Sequence, residues 1–523
     1  MTRLVSQNRM FRSILVLFLG LLALPSAVLP AQEASAGLTA ESSQELSPET
    51  QYALVFSVGT PRLYQKLQAL LIETEFDRRK QAGIDVGYAD VSELDVEQRI
   101  ERTIGEFIDK NPDLDFWAQV SAAGYDETSY RDEIRRNLML ERLYFPPNTD
   151  QWPTEILKEV FGGDAEDSLW SSMIVKMPEE LAKQKAAGQS GEIHPTTMQV
   201  FLRPHIFGHL MDKAEIKYPY DGLPEGVCLS VNGTEVKTAD LVRDFAAVVS
   251  DVELARAKRW NEVVSGTRAA LEADGLLISR EETLALVEDE RKEYAESVVS
   301  YEQIALEFMG FPSMEFYHHY KQLRHSYRKS LPDPFTEEEL DAHLQTRLRF
   351  IGAGQVTAEV ILISARDLDT GVWQRVGSWE AARKRSESVV RELLAGKEWS
   401  EVLNQYSEYP AKTRGSQQGM PQPQRGRFGS QMRNPLRQFL GENDFTDFLI
   451  GTSVADHLFF EADPEAIYGP VEGIYGFYLY KLLTRSEPTQ QVDWRNNERH
   501  GYFVRDDYLN EMFLEYVTAA LKR

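Results

Sequence analysis

The stretch YGPVEGIYGFYLYKLL, Tyr468–Leu483, decides how the C-terminal third of this chain folds. It reads as two short strands around Glu472-Gly473. Pro470 opens the first, and Gly476 interrupts the second beside Tyr475, Phe477, Tyr478 and Tyr480. Aromatic and β-branched residues bounded by glycine and proline mark a hairpin. Upstream, VTAEVILIS (Val356–Ser364) reads as a strand. SWEAARKRSESVVRELLAG (Ser378–Gly396) reads as an amphipathic helix, with Ser378 as its cap and Gly396 as its stop. A second short helix ends before Pro410, and a Gly/Pro/Arg-rich loop spans Ala411–Pro435. More helical sequence then leads into the hairpin. The order β-α-α-loop-α-β-β predicts a small α+β domain with an antiparallel sheet. Beyond it, Arg499–Arg523 reads as one long terminal helix.

Before this domain the pattern is helical. LIETEFDRRK and DVEQRIERTIGEFIDKN mix apolar and charged residues at helical spacing. A short segment, LDFWAQVSAAG, stops at Gly124; Asp126 or Thr128 then caps a helix carrying Tyr130, Ile134 and Leu138 on one face, closed by Pro146-Pro147. The same order returns later. ISREETLALVEDERKEYAES is followed by YEQIALEFMGF and by SMEFYHHYKQLRHSY, with Phe316, Tyr320 and Leu323 on one face. Gly124-Tyr125 corresponds to Gly310-Phe311 and Tyr130 to Phe316, while FSVGTPRLYQKL resembles LSVNGTEVKTADL. These are two divergent copies of one helical unit. The expected fold class is therefore α+β: two mainly helical units, an α+β domain with a small antiparallel sheet, and a C-terminal helix. The expected boundaries are a signal peptide over 1–36, a first helical unit over 37–161, a linker or insertion over 162–223, a second helical unit over 224–345, the α+β domain over 346–487 and a terminal helix over 488–523.

Arg3, Arg9 and Arg12 precede the apolar run Ile14–Leu24, and Ala34-Ser35-Ala36 offers a cleavage site, with Ala31 an earlier candidate. That is the layout of a secretory signal peptide. A membrane anchor is the competing reading, but the run is short for a span, which takes about 20 residues. No Cys lies near the cleavage site, which argues against a lipoprotein. The mature chain is expected to be periplasmic or otherwise exported and soluble, with no stable membrane insertion. Its one cysteine, Cys228, cannot form an internal disulfide and reads as a small buried residue. The formal charge of −25 repels nucleic acid and anionic lipid, so neither is expected as a partner.

Metal and hydrolytic chemistry find little support. HIFGH places His205 and His209 at i, i+4 but lacks the glutamate of a zinc-protease helix, and His318-His319 point to different sides of a helix. There is no G-x-S-x-G, and no glycine loop to cradle phosphates, so nucleotide and cofactor are not expected.

Four words in order resemble the parvulin (PpiC-type) peptidyl-prolyl isomerases: VTAEVILIS as first strand, LLAGKEWSEVLNQYSEYPAKTRG as the helix and loop, GRFGSQM as the glycine turn before the substrate wall, and GPVEGIYGFYLYKLL as the closing hairpin. The resemblance covers Val356–Arg485. The whole chain, with its helical units, terminal helix and VNGTEVKTADL segment, is similar to the SurA-type periplasmic chaperones. In that family the terminal helix packs back onto the N-terminal helices, and the resemblance implies the same here. It also implies an apolar slot for a proline ring, lined by Phe428, Met432, Leu436, Phe439, Tyr475 and Leu362. The sequence departs from the family where the polar groups stand. Val360 and Tyr478 replace two histidines, Tyr409 replaces a Cys or Asp, and Ser407 is kept, which leaves Tyr478, Tyr409 and Ser407 as candidate catalytic residues. Insertions lie between Gly415 and Phe428 and around GENDFTDFLIGTS. X-Pro isomerisation breaks no covalent bond; the barrier of about 18–20 kcal/mol comes from amide resonance. An apolar holder with polar groups steadying the twisted amide suffices.

The expected function is an exported folding factor that binds unfolded or proline-containing polypeptides, with isomerase turnover or without it. The alternative is a non-catalytic adaptor or holdase for one envelope partner. Aromatic faces carrying Phe116, Trp117, Tyr125, Tyr130, Phe308, Phe311, Phe316 and Tyr317 serve either as core between helices or, where exposed, as a cradle for unfolded chains.

Overall fold

The computed structural model describes residues 38, 43, 45–84, 86–112, 114–122, 125, 127–145, 154–163, 168, 195–246, 249–294, 297, 299–365, 378–409, 426–451 and 453–523. The expected signal peptide, Pro146-Pro147, most of the 162–194 segment with His194, and the loop from Pro410 to Arg425 lie outside the described residues. The chain folds as two compact units. One runs from Gly59 to Ala247; the other combines the segment up to Val58 with Val248–Arg523. The structure therefore groups the chain differently from the expected boundaries. The helix Pro48–Val55 belongs with the C-terminal unit, and the strands after Lys213 belong with the N-terminal one.

The N-terminal unit is built on the helices Thr60–Gln81, Glu93–Lys110, Phe116–Ala122, Glu127–Tyr144, Thr154–Val160, Pro195–Lys213 and Thr238–Phe245. Ser92 and Asp95 form a capping box that fixes where Glu93–Lys110 begins. Tyr130, Ile134 and Leu138 do share one face, which packs with Val96, Ile100, Ile104 and Trp117. The segment 216–237, expected to span the end of a linker and the start of a helical unit, is a three-stranded antiparallel sheet: β1 (Ile216–Lys217), β2 (Val227–Val231) and β3 (Thr234–Lys237). Asn232 (φ 51°) and Gly233 (φ 84°) make the tight turn between β2 and β3, the pair a two-residue hairpin favours. FSVG, the supposed counterpart in the first copy, is a turn between helices. Cys228 is buried in β2, and burial pushes its thiol up to about 12, so the unreactive protonated form persists.

In the C-terminal unit, Asp251–Ala273 is the central helix, capped by a Ser250–Glu253 box. Around it lie Pro48–Val55, Met314–Arg328, Asp444–Ile450 and the terminal helix Glu498–Ala520. Trp260 stacks on Phe316 at 3.9 Å between ring centroids. Phe316, Tyr320 and Leu323 are all buried, as their spacing implies. The three-helix order of the first copy recurs as Arg280–Glu293, Tyr301–Phe308 (whose second half is a wider π turn) and Met314–Arg328. The terminal helix packs on Asp251–Ala273, Met314–Arg328 and Glu337–Ile351. His343 bridges it, Nε2 to Asp507 and Nδ1 to Glu511, at 3.0 Å each.

The α+β domain carries the second sheet: β4 (Val356–Ser364), β5 (Arg427–Gln431), β6 (Ile467–Glu472) and β7 (Gly476–Arg485), all antiparallel, in the order β5-β4-β7-β6. Its expected start at 346 falls inside the helix Glu337–Ile351. Gly476 does not interrupt a strand; it begins β7, at a φ of 154° where a Cβ would strike the Ile363 carbonyl. GRFGSQM, expected as a glycine turn, is strand β5, because pairing with β4 satisfies its backbone and turns Phe428 into the core. Alternation along β4 and β7 splits the sheet into two faces. Ile361, Ile363, Phe477 and Leu479 meet the helices Ser378–Leu394 and Trp399–Tyr406. Val356, Val360, Leu362, Tyr478, Tyr480 and Leu482 meet the opposite layer, Arg433–Leu440 and the turns that follow.

Candidate functional site

The residues expected to form a proline slot do come together on that second face. β4 and β7 set Leu362 opposite Tyr478. Helix Arg433–Leu440 lays Leu436 and Leu440 over them, and Tyr409, Phe428 and Tyr475 close the sides. Phe439 is half-buried, with its ring 5.8 Å from that of Phe428. Met432 stands apart at the helix start, 46 % exposed.

The slot is filled by the protein's own side chains. Tyr478 is 1 % exposed, Leu362 and Leu436 0 %, Phe428 2 % and Tyr409 6 %. The packing is close enough that two glycines are obligatory. A Cβ on Gly473 would collide with the Tyr478 ring, and one on Gly441, whose φ is +74°, with Ile474 and Tyr475. In this form the cluster offers a proline ring no room, which corrects the expectation of an open slot. The physical reason is close packing: the Tyr478 ring settles over the bare Gly473, and Leu362, Leu436 and Phe428 fill the rest.

The candidate catalytic groups are placed for packing. The Tyr478 hydroxyl donates to the Leu440 carbonyl at 2.9 Å, one of the acceptors that a helix end leaves unpaired. The Tyr409 hydroxyl lies beside it and faces the Tyr478 phenol rather than a backbone carbonyl. Burial holds both phenols protonated, far above their usual range. The Ser407 hydroxyl donates to the Val360 carbonyl at 3.0 Å and so ties the helix end to β4. The Tyr478 and Ser407 hydroxyls are thus both engaged with backbone carbonyls.

Sequence reading passed over the charged layer behind the slot. Glu442 accepts from the Val454 amide (2.7 Å), the Ala455 amide (3.2 Å) and the Ser453 hydroxyl (2.8 Å), and burial pushes its carboxyl up to about 7. Arg437 pairs with Asp447 at 2.7 Å, and Arg433 with Asp456 at 2.5 Å. His457 sits against the sheet, its Nδ1 3.2 Å from the Tyr480 hydroxyl and its ring 4.6 Å from Tyr468. All of these lie in or next to the segment recognised only as an insertion, and no family pattern marks them.

Elsewhere the candidate cradle residues divide between core and half-buried ring clusters. Phe311, Phe316 and Tyr317 are buried, and Phe116, Trp117, Tyr125 and Tyr130 pack edge to face on one another; Phe308 is exposed. His209 approaches Glu159 at 4.0 Å, and His319 is a half-buried partner of the Tyr52 hydroxyl at 2.8 Å. No cluster able to hold a metal ion occurs among the described residues, and no described helix is long and apolar enough to cross a membrane.

No family model matches this sequence, and no curated protein matches it. Among solved structures, the chain is similar to the peptidylprolyl isomerase PrsA of Bacillus anthracis (13% identity, 51% of this chain and 95% of that one, TM-score 0.20). It is also similar to PrsA of Bacillus cereus (13%, 55% and 88%, TM-score 0.18) and of Bacillus subtilis (14%, 56% and 88%, TM-score 0.14). Likeness at these TM-scores carries no functional argument.

Proposed function

We propose that this chain is an exported folding factor that binds unfolded or proline-containing polypeptide through a parvulin-like, SurA-like architecture, and that its α+β domain is a binding module without efficient isomerase turnover. The observation that carries this reading is the fate of the polar positions. The four parvulin-like words assemble around one apolar cluster, yet the groups standing where the family has its polar network are Val360 and two buried phenols. In this reading the apolar cluster would receive a proline segment only after its own side chains part, and it has no imidazole pair to steady a twisted amide. Phe428, Leu436, Phe439, Tyr475 and Leu362 would form the receiving face, with Met432 at its rim. The strands β5 and β6 are the sheet's edges, where an extended client can add backbone pairing.

Two measurements test it together. Aggregation of a denatured client should be suppressed without ATP, and the proline-limited slow phase of a refolding substrate should stay within about twofold of the uncatalysed rate, tens to hundreds of seconds. A slow phase accelerated in proportion to protein concentration would restore the isomerase reading. Absence of any binding to unfolded chains would remove the folding-factor reading and favour an adaptor for one folded partner.

A further inference from the structure

The insertion after helix Arg433–Leu440 is more than a longer connection. It runs from the slot into the helical body of the same unit. At its near end, the Leu440 carbonyl holds the Tyr478 hydroxyl, and Gly441 is pressed against Ile474 and Tyr475. At its far end, the short helix Asp444–Ile450 inserts two phenylalanines into an aromatic pocket. Phe445 lies 5.8 Å from Trp260 and 5.4 Å from Phe311; Phe448 lies 5.3 Å from Tyr320 and stacks on Phe513 at 6.0 Å. The backbone joins in, with the Phe445 amide donating to the Met309 carbonyl at 3.0 Å. Asn443, the helix cap, occupies the space over Gly310 that a Cβ would need. Two arginines of the central helix hold the two sides of this contact: Arg256 holds the hairpin turn at the Ile474 carbonyl (2.9 Å), and Arg259 holds the far end of the inserted segment at the Leu449 carbonyl (3.3 Å).

We propose that Leu440–Ile450 is a latch: with Phe445 and Phe448 seated in the aromatic pocket it holds Gly441 and Leu440 down on Tyr475 and Tyr478 and closes the slot, and withdrawing the two rings opens the slot to a proline-containing segment. The coupling is mechanical. Only two residues, Glu442 and Asn443, separate the slot contact from the helix bearing the rings, and Asn443 is itself engaged by Thr446. The segment cannot leave the pocket without dragging Gly441 away from the tyrosines. The inference rests on the proposed role of the slot as a polypeptide receiver.

The test uses the full chain and two variants: Phe445→Ala with Phe448→Ala, which empties the pocket, and Arg259→Gln, which loosens the far end of the segment without touching the hairpin. The second decides the matter if the first does not fold by far-UV circular dichroism. Amide hydrogen exchange is read at Tyr475–Leu479, and binding of a fluorescein-labelled Ala-Phe-Pro-Phe peptide is read by anisotropy. The expected result is that exchange at Tyr475–Leu479 and peptide affinity both rise by about tenfold or more over the wild type, as local opening becomes easier. Faster exchange at Phe445 with unchanged exchange at Tyr475–Leu479 would overturn the latch. Equal peptide binding by all three proteins, without an exchange response, would overturn it too and leave the polypeptide-binding role intact. An exchange response with no peptide bound by any of the three would uphold the coupling and overturn the role of the slot.

Discussion

Tyr478 and Tyr409 share one buried cluster, but only Tyr478 donates to a backbone carbonyl, and their phenylalanine variants should separate accordingly. Tyr478→Phe leaves the Leu440 carbonyl buried without a donor. That should cost about 1–3 kcal/mol in urea unfolding. Tyr409→Phe removes a hydroxyl that faces only the Tyr478 phenol and leaves no backbone carbonyl unpaired, so its cost should stay within about 1 kcal/mol. The same pair tests function, because neither change should alter a proline-limited slow phase if neither hydroxyl meets a substrate. Sequence gave the position of both phenols in the family pattern, yet not their burial. Burial depends on Gly441 and Gly473 being bare enough for the rings to settle over them, and that is visible only once β7 is paired.

Among the elements, the terminal helix has a built-in pH dependence. Burial alone would lower the pKa of His343, but its hydrogen bonds to the Asp507 and Glu511 carboxylates outweigh that and raise it above 6.5. A group whose folded pKa is raised contributes fully below its unfolded value and loses that contribution as pH rises through the folded one. The contact between Glu337–Ile351 and Glu498–Ala520 should therefore be firmest below pH 6.5 and weaken above it. Hydrogen exchange along the helix, corrected for intrinsic rates, should show protection falling with pH in the wild type, and His343→Gln should flatten that trend. The helix itself was legible from its pattern. Its docking partners were not, because a carboxylate pair at Asp507 and Glu511 looks like any solvated helix face until His343 is brought beside it.

At the scale of the whole molecule, the C-terminal unit is organised around Trp260. Its indole stacks on Phe316 and meets Phe445 and Phe448 of the inserted segment. Trp260→Ala should cost about 3–5 kcal/mol. Since the helical body and the sheet domain both border this ring, the loss should appear as one cooperative shift in thermal unfolding of that unit. Charge acts at the same scale. With a formal charge of −25, capture of a basic denatured client should exceed capture of an acidic one at low salt. The difference should shrink as the Debye length falls from about 10 Å at 0.1 M to about 3 Å at 1 M salt, which a salt series of light-scattering aggregation assays measures.

The sequence by itself determined the α+β class, the strands at Val356–Ser364 and in the closing hairpin, and the helical stripe of Tyr130, Ile134 and Leu138. Each of these follows from a local period or from the order of short words along the chain. Only the tertiary structure decided that the slot is closed, that GRFGSQM is a strand, that Pro48–Val55 joins the C-terminal unit, and that Phe445 and Phe448 fasten the sheet domain to Trp260. Those outcomes depend on which apolar surfaces meet across hundreds of residues and on where a missing Cβ lets two segments touch, and neither leaves a periodic trace in the sequence.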